Sequence, residues 1–400
     1  MNCFCIVVLY LRYVMADFNY DYDNVQHNYE EILGYFDAFD PIFSSTSVIP
    51  IPDQTQALEV TMGMNLYALS GFDAVAGQIE IVGSLQMSWY NELFTSNVDT
   101  NTLAIYVVPL SGVWTPSVVL VNAIDTVEKV GSSTYRPRYN IYTGFVEWNP
   151  RVILKAACDP DVTYYPFDRQ KCSFIFTPWN YNSQQITLTL SSSTIDTSQY
   201  HLNSAWSLVE TKAETYIFGE NYYANFTITI QRQYMYFTIN LVLPILLLSA
   251  VTGFVFLLPA ASNERVGFSI TCFLAFFVLL QTVMQFLPES SSPMSLLSYY
   301  IIVMMMFSSA VCIINIMTLR LYQSAERGDT VPGFLKTFVQ IIQCTICRRC
   351  KKLSPNEDNA ELNVDWATVG RLLDIIFFIA FLAAQGGFTL LFFLPLGLRT

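Results

Sequence analysis

The sequence predicts a multidomain membrane protein, an extracellular antiparallel β-sandwich followed by a four-helix transmembrane bundle. Three observations carry that prediction. The 400-residue chain is 53% hydrophobic and 13% charged, too apolar for an ordinary soluble protein. The apolar excess is concentrated in the C-terminal part, in four runs at about Phe237–Leu258, Val266–Phe286, Leu296–Leu319 and Leu372–Leu394. Each meets the roughly 20 residues that a helix needs to cross a ~30 Å hydrocarbon layer. From about Ala57 to Gln231, short apolar runs alternate with Gly, Pro, Asn and Ser clusters, the spacing of many short strands in a sandwich.

Taken in order, residues 1–16 are a candidate signal peptide, because a short apolar stretch ends in the small-residue spacing Val14-Met15-Ala16, although Arg12 interrupts it. Residues 17–235 form the extracellular domain. Its Tyr29–Phe39 segment reads as a short amphipathic helix stopped by Pro41. Strands are expected at short apolar runs such as Leu58–Leu66, Gly77–Trp89, Leu103–Val108, Gly144–Trp148, Ser173–Thr177, Ile186–Leu190 and Phe226–Ile230. Residues 236–320 hold the first three spans, 321–368 a short cytoplasmic loop, and 369–400 the fourth span and an extracellular C-terminus. Orientation follows from Arg265, Arg320, Arg327, Lys336, Arg348, Arg349, Lys351, Lys352 and Arg371, because basic residues favour the cytoplasmic side. The connection Pro288–Ser295 between spans two and three carries none. Within the cytoplasmic loop, Val331–Gln343 has apolar residues at helical spacing and suits a helix lying along membrane lipid.

Composition also excludes function classes. With 32 acidic against 20 basic side chains, and its only charge-rich cluster in the cytoplasmic loop, the chain lacks the broad basic surface that nucleic-acid phosphates require. Two histidines leave little for a histidine metal centre or catalytic triad. No nucleophile–base pair, phosphate loop or metal cluster stands out, so no enzyme activity, cofactor or metal is expected.

Of nine cysteines, only Cys158 and Cys172 fall in the sandwich region, where an oxidising compartment favours a bridge between them. In the chain-entropy model such a loop contributes ~3 kcal/mol. Cys272 and Cys312 lie in spans as packing residues; Cys344, Cys347 and Cys350 suit zinc with a missing fourth ligand, reversible acylation, or inert thiols. Through Met235 there are 23 acidic and 10 basic side chains, an excess of 13 negative charges. Solubility alone accounts for that excess, but around a shared water-filled vestibule it would concentrate cations.

The second span favours the vestibule. Gly267, Thr271, Leu274, Val278, Gln281, Thr282 and Gln285, preceded by Glu264, recur at spacings that place them on one helical face. One helix cannot enclose water, so a pore here requires several subunits in a ring. Rings of Leu274 and Val278 would close it by dewetting, and a ring of Glu264 at the inner mouth would favour cations. Arg265 must then point away from the lumen, or toward lipid headgroups and backbone carbonyls. The alternative is a polar face packed against helices of the same subunit.

Taken in order, these pieces resemble the Cys-loop (pentameric ligand-gated ion channel) family, and its nicotinic acetylcholine receptor branch most closely. The specific signal is the 13-residue interval between Cys158 and Cys172 with Tyr165-Pro166-Phe167-Asp168 inside it. Further matches are Trp114-x-Pro116, Asn122, Tyr142-x-Gly-x-Val-x-Trp148-x-Pro150, Trp179-x-Tyr181, Trp206 and Pro244, so the similarity covers about residues 28 to 395.

The resemblance implies a homopentamer or heteropentamer in the plasma membrane, with an extracellular small-molecule ligand bound between neighbouring domains and monovalent cations passing through the pore. It places Trp179 in an aromatic box for a cationic ligand, with Tyr216 and then Tyr222 or Tyr223 from the capping loop. Tyr142 and Trp148 would face that loop from the next subunit. Val121 and Ser84 or Leu85 stand where the nicotinic pattern has aromatics, and Thr215–Asn225 lacks the vicinal cysteine pair, which argues against acetylcholine as the ligand. The resemblance also implies coupling of ligand to pore through Tyr165–Asp168, Pro288, and Arg232 paired with Asp73. Asn225-Phe-Thr227 is a glycosylation sequon. Three readings therefore stand: a cation-selective channel subunit, an anion-selective relative, and an auxiliary subunit that completes its pocket only with a partner.

Overall fold

The computed structural model describes residues 48–92, 105–259, 264–289, 294–327 and 366–397. The leader at 1–16, the helix expected at Tyr29–Phe39, the segment Val331–Gln343 and the cysteines Cys344, Cys347 and Cys350 lie outside these residues.

Eleven strands are described: β1 (Leu58–Asp73), β2 (Gln78–Tyr90), β3 (Ile105–Val107), β4 (Val118–Leu120), β5 (Arg138–Asn140), β6 (Phe145–Trp148), β7 (Arg151–Ala157), β8 (Arg169–Pro178), β9 (Ile186–Leu190), β10 (Trp206–Phe218) and β11 (Asn221–Arg232). They form two sheets. One runs β3-β5-β6-β2-β1-β9 with β7 also on β2, and the other runs β10-β11-β8-β4. β6 and β7 flank Asn149-Pro150, where the missing proline N–H interrupts the ladder, and both lie against β2. The core between the sheets follows the two-residue period: Val60, Met62, Met64 and Leu66 of β1, Ile79 and Ile81 of β2, Phe174 and Phe176 of β8, and Phe226, Ile228 and Ile230 of β11. A bulge between Leu66 and Ala68 shifts that period, which buries Leu69 in place of Ala68.

One detail of the expected sandwich is corrected. The sandwich is not wholly antiparallel, since β9 runs parallel to β1, with Leu58 opposite Ile186. A connection that crosses from β8 in one sheet to β9 in the other sets this direction. The strands β4, β5, β7 and β10 are not among the apolar runs singled out in the sequence. The last is 13 residues long, but it is an edge strand that buries only Trp206 and Ala213, so its sequence carries little alternation.

Among the described residues, four helices follow that are long and apolar enough to cross a membrane. The first, α1 (Met235–Leu257), contains a π turn at Thr238–Val242 just before Pro244. Proline lacks an N–H and its ring crowds the carbonyl four residues back, here that of Asn240, so the turn widens. The others are α2 (Glu264–Met284), α3 (Leu296–Glu326) and α4 (Trp366–Gly397). Sandwich and bundle meet in one apolar cluster. Ala74, Val162 and Tyr165 from the loops pack with Leu241, Ile245, Phe276, Val283, Leu297 and Tyr300 from the helices and with Leu287 just past α2. The backbone N–H of Leu296 donates to Thr163 O at 3.0 Å across the same junction.

Candidate functional site

The α2 helix has two unlike faces. Arg265, Ser269, Cys272, Phe276 and Val283 are buried against the other helices. Glu264, Gly267, Thr271, Leu274, Val278, Gln281 and Gln285 are exposed, and Thr282 is half-buried at the edge of that stripe. The polar stripe is therefore not packed inside its own subunit, the alternative that the sequence left open. Thr271 and Thr282 donate their hydroxyls to Gly267 O and Val278 O one turn back, both at 2.9 Å, so neither needs a partner from another helix.

Arg265 meets one part of the sequence expectation and not the other. It turns away from the stripe, but its partner is neither lipid headgroup nor backbone carbonyl. Its two terminal nitrogens donate to Asp374 of α4, at 3.0 and 2.6 Å, and its Nε donates to Asn315 Oδ1 of α3 at 2.9 Å. The ring of Phe256 lies 5.7 Å from the guanidinium. Sequence reasoning missed Asp374 and Asn315; the signal available was an acidic residue in a run otherwise apolar enough to span a membrane.

At the far end of the four-stranded sheet, aromatic residues gather. Trp179 follows β8 directly and is half exposed. Thr177 Oγ1 donates to Tyr222 O at 2.9 Å, which ties that end of β8 to the β10–β11 hairpin. On the hairpin, Tyr216 and Tyr223 stack with ring centroids 5.4 Å apart and planes 12° from parallel, and Phe218 meets Tyr223 edge-on. Burial chiefly, then the neighbouring Tyr223 and Glu214, push the Tyr216 phenol above its ordinary range. Tyr142 is elsewhere, in the turn between β5 and β6 of the other sheet, where its N–H donates to Asn140 Oδ1 at 3.0 Å. Trp114, Trp148 and Trp206 belong to the core, with Trp148 Nε1 donating to Tyr135 O at 2.8 Å.

The positions that depart from the nicotinic pattern are also placed. Ser84 is buried under Asn65 and Tyr67, accepting from Asn65 Nδ2 at 3.1 Å and sharing a hydrogen bond with the Tyr67 hydroxyl at 2.9 Å. The Arg151 guanidinium lies 4.7 Å from the Tyr67 ring centre. Leu85 is in the core and Val121 is exposed. Asn225 sits in mid-strand on β11, its Nδ2 donating to Glu214 Oε1 at 3.3 Å, so a glycan there would displace this bond.

Between the two regions lies the loop closed by the Cys158–Cys172 disulfide, whose Cα atoms are 5.2 Å apart. The expected pairing of Arg232 with Asp73 is corrected. Asp73 Oδ1 is taken by the backbone N–H groups of Val75 and Ala76, at 2.9 and 3.0 Å, in the β1–β2 turn. Arg232 pairs with Asp168, Nε to Oδ1 at 2.7 Å and Nη2 to Oδ2 at 3.0 Å. Strand register dictates this, because Gln231 stands opposite Arg169 in an antiparallel pair, so the residue after Gln231 falls alongside the residue before Arg169. Gln170 Nε2 also donates to Asp168 Oδ2 at 2.6 Å. The rings of Trp206, Tyr165 and Phe237 enclose the guanidinium at 4.3, 5.0 and 5.4 Å. Tyr165 and Phe167 reach the start of α1, contacting Phe237 and Tyr234 at 5.6 and 5.0 Å. Pro166 follows a cis bond, and Pro288 is half-buried just past Leu287 in the junction cluster. Burial raises the Tyr165 phenol to about 12, with Arg232 opposing the rise.

Comparison with known proteins matches both halves. Residues 39–234 match the neurotransmitter-gated ion-channel ligand binding domain, and residues 241–349 the neurotransmitter-gated ion-channel transmembrane region. The neuronal acetylcholine receptor subunit alpha-6 of Rattus norvegicus is 30% identical over 250 residues, 60% of this chain and 50% of the relative. That of Gallus gallus is 31% identical over 237 residues, 58% of this chain and 47% of the relative. The acetylcholine receptor subunit beta-like 1 of Drosophila melanogaster is 28% identical over 298 residues, 72% of this chain and 57% of the relative. The chain thus spans about half the length of the curated relatives it matches.

Proposed function

Because this chain belongs to the neurotransmitter-gated ion-channel family, as a Cys-loop receptor subunit related to nicotinic receptors, we propose that it forms a cation-selective pentameric channel opened by an extracellular ligand bound between subunits. The family is one of ion channels, not enzymes. The observation that carries the proposal is the exposed stripe from Glu264 to Gln285 on α2. A face with a carboxylate, two threonines and two glutamines is costly against lipid, and it is satisfied when five copies turn it toward a common water-filled axis. Glu264 then guards the mouth distal to the sandwich, which we place on the cytoplasmic side of the plasma membrane, with both termini outside.

Ligand recognition is assigned to Trp179 and the Tyr216, Tyr222 and Tyr223 hairpin, with Tyr142 supplied by the neighbouring subunit. Their rings suit a cationic group. Ser84 contributes no ring, and the Arg151 guanidinium stands close by, which supports a ligand other than acetylcholine. The same feature favours a second reading, an auxiliary subunit whose pocket is completed by a different partner chain. Five-fold particles and currents from this chain expressed alone distinguish the two.

The test of conduction uses a Leu274→Ser parent, in which a hydroxyl ring wets the constriction and current flows without a known ligand. Five carboxylates about 8 Å from the axis contribute roughly 1 kcal/mol in total after salt screening, about fivefold in ion entry. The parent current is expected to reverse near the sodium potential. Glu264→Ala should lower cation entry and raise anion entry by about that factor each. A parent reversal potential that tracks chloride overturns the cation-selective reading.

A further inference from the structure

Glu264 and Arg265 stand side by side at the start of α2. A carboxylate and a guanidinium both facing the mouth would cancel, leaving each subunit neutral there. The structure separates them. Glu264 is exposed, whereas the Arg265 side chain is only 2% exposed and is held by Asp374. Asp374 belongs to α4, the outermost helix, whose apolar stretch is scarcely buried within the subunit. An ionisable residue in such a helix is expensive unless it is paired and used. Both carboxylate oxygens take the two terminal nitrogens of Arg265, and Asn315 of α3 takes Nε, so helices α2, α3 and α4 converge on one guanidinium. Asn315 Nδ2 is buried with no hydrogen-bond partner among the described residues, so the triad is built around the cation and not around the amide.

We propose that Asp374 is a selectivity-positioning residue: it holds the Arg265 guanidinium out of the pore mouth, so that the mouth presents Glu264 without a compensating cation. This rests on the channel reading above. The physical reason is that a buried guanidinium deprived of its carboxylate is unstable where it stands. A long basic side chain at a helix end relieves that by reaching for water, which here lies beside Glu264. A residue on the lipid-facing helix thereby decides the charge of a pore that it does not line.

The experiment compares reversal potentials in the Leu274→Ser parent under sodium and chloride gradients. Asp374→Asn should reproduce the Glu264→Ala phenotype, an approximately fivefold loss of cation entry. Arg265→Gln/Asp374→Asn, with no cation left to swing out, should restore the parent value. A merely structural role for Asp374 predicts no rescue, and that result overturns the proposal. Should Asp374→Asn fail to reach the surface, Arg265→Gln alone decides: an unchanged reversal potential supports a sequestered guanidinium, and an increased cation preference refutes it.

A readout independent of current separates this inference from the channel reading. The full chain in lipid nanodiscs is treated with 4-hydroxyphenylglyoxal, a water-soluble arginine reagent, and its peptides are analysed by mass spectrometry. Arg265 should be protected while the exposed Arg151 and Arg371 react, and Asp374→Asn should abolish the protection. Modification of Arg265 as fast as Arg371 in the unaltered chain overturns the inference, whether or not the protein conducts.

Discussion

Asp168→Asn keeps the shape of the side chain and removes the charge that holds Arg232. The site is nearly dry, with 1% exposure for Asp168 and 11% for Arg232. Removing one partner of a buried pair costs about 3–5 kcal/mol, because the other charge is left uncompensated. For Asp168→Asn the lower end applies, about 3 kcal/mol, since Arg232 keeps the faces of Trp206, Tyr165 and Phe237 and some access to water. Arg232→Gln leaves the drier carboxylate without a cation, held by the Gln170 amide, and loses the ring contacts, so about 4–5 kcal/mol is expected. In the double variant neither charge is stranded. Its cost should therefore fall short of the sum by at least about 2 kcal/mol.

The assay is chemical denaturation of the detergent-solubilised full chain followed by tryptophan emission, with Trp206 as a reporter 4.3 Å from the guanidinium. Asp73→Asn is the control. It weakens two turn hydrogen bonds at an exposed site, should cost about 1 kcal/mol or less, and should add to Arg232→Gln within about 0.5 kcal/mol. Additivity of Asp168→Asn with Arg232→Gln, or strong coupling of Asp73→Asn to Arg232→Gln, refutes the assigned pairing.

Two further outcomes are expected. Tyr165→Phe removes a buried hydroxyl that has no hydrogen-bond partner among the described residues, so the same denaturation should show a neutral change or a gain of about 1 kcal/mol. Tyr165→Ala, which empties the junction between sandwich and bundle, should lose about 3–5 kcal/mol. In a ligand screen on the expressed chain, Trp179→Ala should weaken the half-maximal concentration of an active cationic compound by roughly tenfold, the value of one good cation–ring contact; responses that do not change place the ligand elsewhere.

Local pattern carried much of the architecture. The limits of β9 at Ile186–Leu190 and the start of α3 at Leu296 coincide with the sequence expectation, because apolar period and turn residues are properties of neighbouring positions. The exposed stripe of α2 was likewise legible, since helical geometry alone puts residues three and four apart on one face. Cys158 and Cys172 could be paired because no other cysteine shares their part of the chain between the leader and the first span. The β10 edge strand left little trace, as a strand with one free edge and few buried side chains has little alternation to read.

Composition and local periodicity by themselves determined a two-part membrane protein, its four spans, its covalent loop and the helix face available to line a pore. Tertiary structure alone decided which charges meet. Arg232 finds Asp168 across 64 residues, and Arg265 finds Asp374 across 109. Sequence spacing is silent at such distances, because the partner is set by strand register in one case and by the convergence of three helices in the other. Asp73, adjacent to the junction, was the reasonable partner by position, but its carboxylate is already engaged by its own turn.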